Sequence, residues 1–93
     1  MQTIFKPLLT WLNERADLVD EPSEAVTYLG YYQPQTGDGA LTTAQTQALA
    51  RWTIARITVT GAITLTEYAG GSMAYNQIWD DRAALSYKLK NWQ

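Results

Sequence analysis

Ninety-three residues, 46% of them apolar and 17% charged, supply one small hydrophobic core and too little chain for two cores with a cleft between them. Cysteine and histidine are both missing, which excludes a disulfide framework, a thiolate metal site and structural zinc. The net charge of −2 is unevenly spread, with six acids against Lys6 and Arg15 in residues 1–40 and five bases against three acids in residues 41–93, and the few scattered bases make no groove for nucleic acid.

Residues 3–19 read as a first helix, with Pro7 in its opening turn and Ile4, Leu8, Trp11 and Leu18 near one side. Glu14, Asp17, Asp20, Glu21 and Glu24 follow as an acidic patch around Pro22. Residues 25–32 are ambiguous: Val26, Tyr28 and Tyr31-Tyr32 favour a strand, whereas Pro22, Ser23 and Glu24 suit the opening of a short helix ending at Gly30, which is the expectation adopted. Gln33 to Ala40, with Pro34, Gly37 and Gly39, is a loop.

Thr42 is a good N-cap for a long helix reaching about Thr60, with Trp52 on one face and Ile54 and Ile57 nearly opposite. A competing pattern runs through the same stretch, because Ile57-Thr58-Val59-Thr60, Gly61-Ala62 and Ile63-Thr64-Leu65-Thr66 alternate with the period of a strand around a tight turn. The helix is preferred since no breaker follows Thr43. Residues 63–68 and 72–75 are then expected to form a two-stranded hairpin across Ala69-Gly70-Gly71. Asn76 caps a C-terminal helix with Asp80 and Asp81 near its start and Lys88 and Lys90 near its end.

The expected fold is therefore α+β and mostly helical: an N-terminal helical arm and loop over residues 1–40, then a helix–hairpin–helix core over residues 41–93, in one compact unit. No apolar run approaches the roughly 20 residues needed to cross a bilayer, so a soluble chain without a membrane role is expected.

Chemistry has few carriers in this sequence. Asp80 and Asp81 are adjacent, and neighbouring helix positions diverge by about 100°, so the pair suits a helix start better than a shared substrate or metal ion. Glu67 has no partner acid nearby in sequence, and no base accompanies Ser23, Ser72 or Ser86. Gly70-Gly71 lacks the lysine and spacing of a phosphate loop. A non-enzyme without cofactor or metal is expected, acting through surfaces on which Trp and Tyr are favoured anchors.

Leu41-Thr42-x-Ala44-Gln45, Tyr68-Ala69-Gly70-Gly71-Ser72 and Arg82-x-x-Leu85-x-Tyr87-x-x-x-x-Trp92 resemble the gpW family of bacteriophage head-completion, or head–tail joining, proteins over about the last fifty residues. Ser72 departs from the arginine often found there. The resemblance implies a structural virion protein, assembled in the host cytoplasm, that forms a homo-oligomeric ring at the portal vertex. Its partners would be the portal and neighbouring tail or connector proteins, with DNA enclosed but not read. The alternatives are a capsid decoration or tail-adaptor subunit, or a small regulatory protein binding a host partner. Tyr31, Tyr32, Trp52, Ile54, Ile57, Trp79, Tyr87 and Trp92 are the expected interface residues.

Overall fold

The computed structural model describes residues 16–90. They form a six-stranded sheet in which every pairing is antiparallel. The strands are β1 (Leu18–Ser23), β2 (Val26–Tyr32), β3 (Ala50–Thr60), β4 (Ile63–Ala69), β5 (Gln77–Ile78) and β6 (Tyr87–Lys88). Their order is β1-β2-β3-β4-β6, and β5 also pairs with β3. The mostly helical expectation is overturned: the longest helix among the described residues, α1 (Thr43–Thr46), has four residues.

β3 organises the sheet. β2 follows one of its edges in unbroken register from Val26–Thr58 to Tyr32–Trp52, while the other edge is shared by β5 near Ala50–Trp52 and β4 along Ala55–Thr60. A long helix was expected here because no breaker follows Thr43, and on that helix apolar residues pointed both ways. That two-sidedness belongs instead to a central strand buried on both faces, with Trp52 and Ile54 on one side and Ala55 and Ile57 on the other. Thr53, Ile54, Ile57, Thr58, Val59 and Thr60 are all β-branched, stiff at χ1 and suited to a pleated surface.

The helix expected from Thr42 does begin there. Thr42 and Gln45 form a reciprocal capping box, at 2.8 and 3.2 Å. It ends after one turn, and the Trp52 indole N–H donates to the carbonyl of Thr46 at 2.9 Å, satisfying an acceptor that a longer helix would have used itself.

Gly61 connects β3 to β4 with φ of +61°, followed by Ala62 at negative φ, the sign pattern of a type II′ hairpin turn. This is the competing pattern that was set aside for the helix, and the hairpin expected around Gly70-Gly71 does not form. Both glycines take φ of +69° as a turn requires, but residues 72–75 are not a strand, and the chain crosses to pair β5 with β3.

The other helical expectations fail through long-range packing. Within residues 25–32, Val26–Tyr32 form β2, whose valine, threonine and tyrosines suit a strand. The expected first helix lies outside the described residues except for its end, and Leu18 and Val19 belong to β1. In place of the C-terminal helix stand β5, a single 3-10 turn at Trp79–Asp81, and β6. Here the Asp80 N–H bonds Gln47 O at 3.0 Å and the Tyr87 hydroxyl donates to Arg82 O at 2.7 Å, ties that hold the segment in a non-helical path.

Two clusters flank the sheet. On the tryptophan face, Trp52, Ile54, Ala69, Trp79 and Tyr87 are buried, with Leu18, Tyr28, Tyr32 and Leu85 packed around them. The Trp52 ring lies 5.8 Å from Trp79 and 5.1 Å from Tyr32. On the opposite face, Leu29, Ala55 and Ile57 form the smaller cluster.

Candidate interaction edge

The expected interface residues are distributed through these two clusters. Trp52, Ile54, Trp79 and Tyr87 are buried on the tryptophan face and Ile57 on the other, so in the single folded chain they serve as core. Tyr31 is half-buried on the Ile57 face, where burial raises its pKa. Tyr32 packs on Trp52 from the tryptophan face. Trp92 lies outside the described residues.

Tyr32 also belongs to a polar network. Asp38 accepts from Arg51 Nε at 2.8 Å, from the Gln35 amide at 2.9 Å and from the Tyr32 hydroxyl at 2.8 Å. Those donors, the guanidinium first, hold the Asp38 carboxyl well below the usual range, at about 2. The network borders a cavity of about 310 Å³ floored by Trp52 and walled by Asp17, Leu18, Leu41 and Thr46. Asp38 spends its acceptors on the chain itself, and Asp17 accepts from the Tyr32 amide at 2.8 Å. The cavity is thus a structural junction between β2, β3 and the loop before α1.

Charge asymmetry along the sequence is partly cancelled in space. Asp38 meets Arg51 and Asp20 meets Arg82 at 2.9 Å, so acids of the first part neutralise bases of the second. Glu67 accepts from Arg56 at 2.9 Å, and the Arg56 guanidinium lies 4.5 Å from the Tyr87 ring centre. Asp80 and Asp81 sit in the 3-10 turn, and neither they nor Glu67 line the cavity. Among the described residues no group of three or more acidic, histidine or cysteine side chains is placed to hold a metal ion.

No known family, curated protein or solved structure matches the chain.

What the fold leaves open is an edge. Among the described residues β6 pairs with β4 only at Tyr68 and Ala69, and the outer side of β4 from Ile63 to Glu67 has no neighbour in the sheet. The Gly70 amide points outward to Ser86 O at 2.8 Å, and in an antiparallel ladder alternate residues face the same way, which directs the backbone groups of Thr64 and Thr66 outward too. Ile63 and Leu65 are 68% and 38% exposed. Their partners Thr60 and Thr58 place both side chains on the tryptophan face, beyond the reach of its cover.

The opposite edge differs. β1 carries Asp20, Glu21 and Pro22 and is broken by a register shift between Asp20 and Ser23, features that discourage further strand pairing. β4 has no proline, lysine or bulge along Ile63–Glu67. These edge residues were not among the expected interface positions, although the alternation from Ile63 to Thr66 was legible; exposure of a strand edge depends on what pairs beside it, which one strand's sequence does not contain.

Proposed function

We propose that the chain is a non-catalytic assembly subunit that self-associates by antiparallel pairing of the β4 edges of two copies. The open Ile63–Glu67 edge supports this reading. A second copy supplies the matching row of donors and acceptors, and the twofold pairing brings Ile63 and Leu65 of both copies onto one shared face. A five-residue edge buries less than the roughly 1,200 Å² of a standard interface, so the contact is weak alone and gains strength when repeated in a larger assembly.

The narrower role of head-completion or head–tail connector subunit in a phage virion draws on the resemblance of residues 41–92. The fold lacks the helix–hairpin–helix order that gave the resemblance its structural content, so the proposal is the broader one.

Sedimentation across a wide concentration range tests it. The wild-type chain is expected to shift from monomer toward dimer, while Leu65→Lys and Thr64→Pro stay monomeric with an unchanged β-sheet circular dichroism spectrum. A wild-type chain that remains monomeric at the highest concentration, or variants that associate as it does, would overturn the reading.

A further inference from the structure

The outer edge of β4 has a stop at each end. At one end Gly61, with φ of +61°, turns the chain from β3 into Ile63. At the other, Lys88 of β6 lies opposite Tyr68, after which the chain bends at Leu89 and Lys90 Nζ comes 6.0 Å from the Tyr68 ring centre on the Ile57 face. Between these stops Ile63, Leu65 and Thr66 are exposed. A strand that pairs antiparallel with its own copy does so around a twofold axis, and the place of that axis decides which residues face each other. The middle residue of Ile63–Glu67 is Leu65.

We propose that the twofold axis passes between the Leu65 residues of two copies, an inference that rests on the edge-to-edge reading above. Steric limits select this register. An axis at Thr66 would set Thr64 of the second copy opposite Tyr68, a place that Lys88 already fills. An axis at Thr64 would bring the Gly61 turn of the second copy opposite Glu67 and withdraw the ends of both strands from the ladder. With the axis at Leu65 the whole of Ile63–Glu67 pairs, and Thr64 and Thr66, whose main-chain groups point outward, exchange hydrogen bonds with Thr66 and Thr64 of the second copy. Leu65 then faces Leu65 as a non-hydrogen-bonded pair, the closer of the two kinds, with Cα atoms about 4.5 Å apart. Charge agrees with this choice. Each Glu67, held by its own Arg56 at 2.9 Å, faces Ile63 of the other copy, so no carboxylate stands opposite another.

The chain has no native cysteine, so single cysteines report the register in the full chain. Leu65→Cys is expected to form a disulfide-linked dimer on mild oxidation, because a Cα separation of about 4.5 Å lies within the range a disulfide spans. Ile63→Cys is expected to give at least tenfold less, since the two copies of that position lie about 14 Å apart along the seam. Equal yields would overturn the register. A mixture of the two variants that forms more mixed dimer than Leu65→Cys dimer would also overturn it, by placing the axis at Thr64. Lysine substitution reads the same geometry without a thiol. Ile63→Lys sets an ammonium opposite Glu67 of the second copy and is expected to keep the dimer, more weakly as salt rises, whereas Leu65→Lys sets two ammonium groups face to face and abolishes it. A monomeric Ile63→Lys chain at low salt would count against Leu65 on the axis. Sedimentation of the wild-type chain separates the two failures: a wild-type dimer without the Leu65→Cys crosslink sinks the register alone, and a wild-type monomer at every concentration sinks the edge pairing beneath it.

Discussion

Gly30 lies directly beneath Trp79: a Cβ placed on Gly30 would come within 2.7 Å of the indole ring and within 3.0 Å of Trp52. Its place in mid-strand, where a glycine ordinarily weakens pairing, follows from this close approach. Gly30→Ala is expected to destabilise the fold by about 1–3 kcal/mol through overpacking. Trp79→Phe, with a smaller ring, should lessen that cost in the double variant. Urea unfolding of the four members of this cycle checks the coupling, and purely additive losses would contradict it.

Asp38 makes stability depend on acid pH. Its folded-state pKa of about 2 lies below the ordinary aspartate value of 3.8, so its contribution is complete above the unfolded value and fades as pH falls through that window. Asp38→Asn removes the charge that Arg51 and the Tyr32 hydroxyl both bind. Thermal melts between pH 5 and pH 2 are expected to show a steeper loss for the wild type than for Asp38→Asn. Parallel curves would mean that the network does not contribute through ionisation.

Several local devices were legible because they are carried by adjacent residues. The Thr42–Gln45 cap, the loop from Gln33 to Ala40 and the positive φ of Gly70 and Gly71 belong to this class. The identity of β3 was not legible from its pattern alone, since apolar residues on both sides of a strand and on two sides of a helix produce similar spacing. Its β-branched content was the discriminating signal. The path after Asp80 was hidden for another reason: the bonds that hold it reach back to Gln47 and pack Trp79 on Trp52, and helix-favouring charges near Asp80 and Lys88 are weaker than that packing.

Gly61 sets the register of the edge strand. Its φ of +61° strains any residue with a Cβ, although space around it is open. Gly61→Val is therefore expected to cost about 1–3 kcal/mol through backbone strain alone. Thermal unfolding measures the loss, and a Gly61→Val chain as stable as the wild type would show that the turn adopts another geometry at little cost.

Thr53 closes the gap between β5 and β4 along β3. Its hydroxyl lies 2.7 Å from Met73 O and 2.9 Å from Ala74 O, and the residue is 3% exposed. One proton is thus shared between two carbonyls of the loop that crosses from β4 to β5. Thr53→Val keeps the shape of the side chain and removes that proton, with an expected loss of about 1–3 kcal/mol if the carbonyls stay buried. Met73 is half-exposed, so the loop has a route to water and the loss should fall toward the lower end. Amide exchange then distinguishes the two responses: faster exchange confined to residues 72–76 marks a released loop, whereas a uniform increase marks a weakened sheet. Thr53→Ser retains the donor and is expected to leave the loop protected, which separates loss of the hydrogen bond from loss of the methyl group.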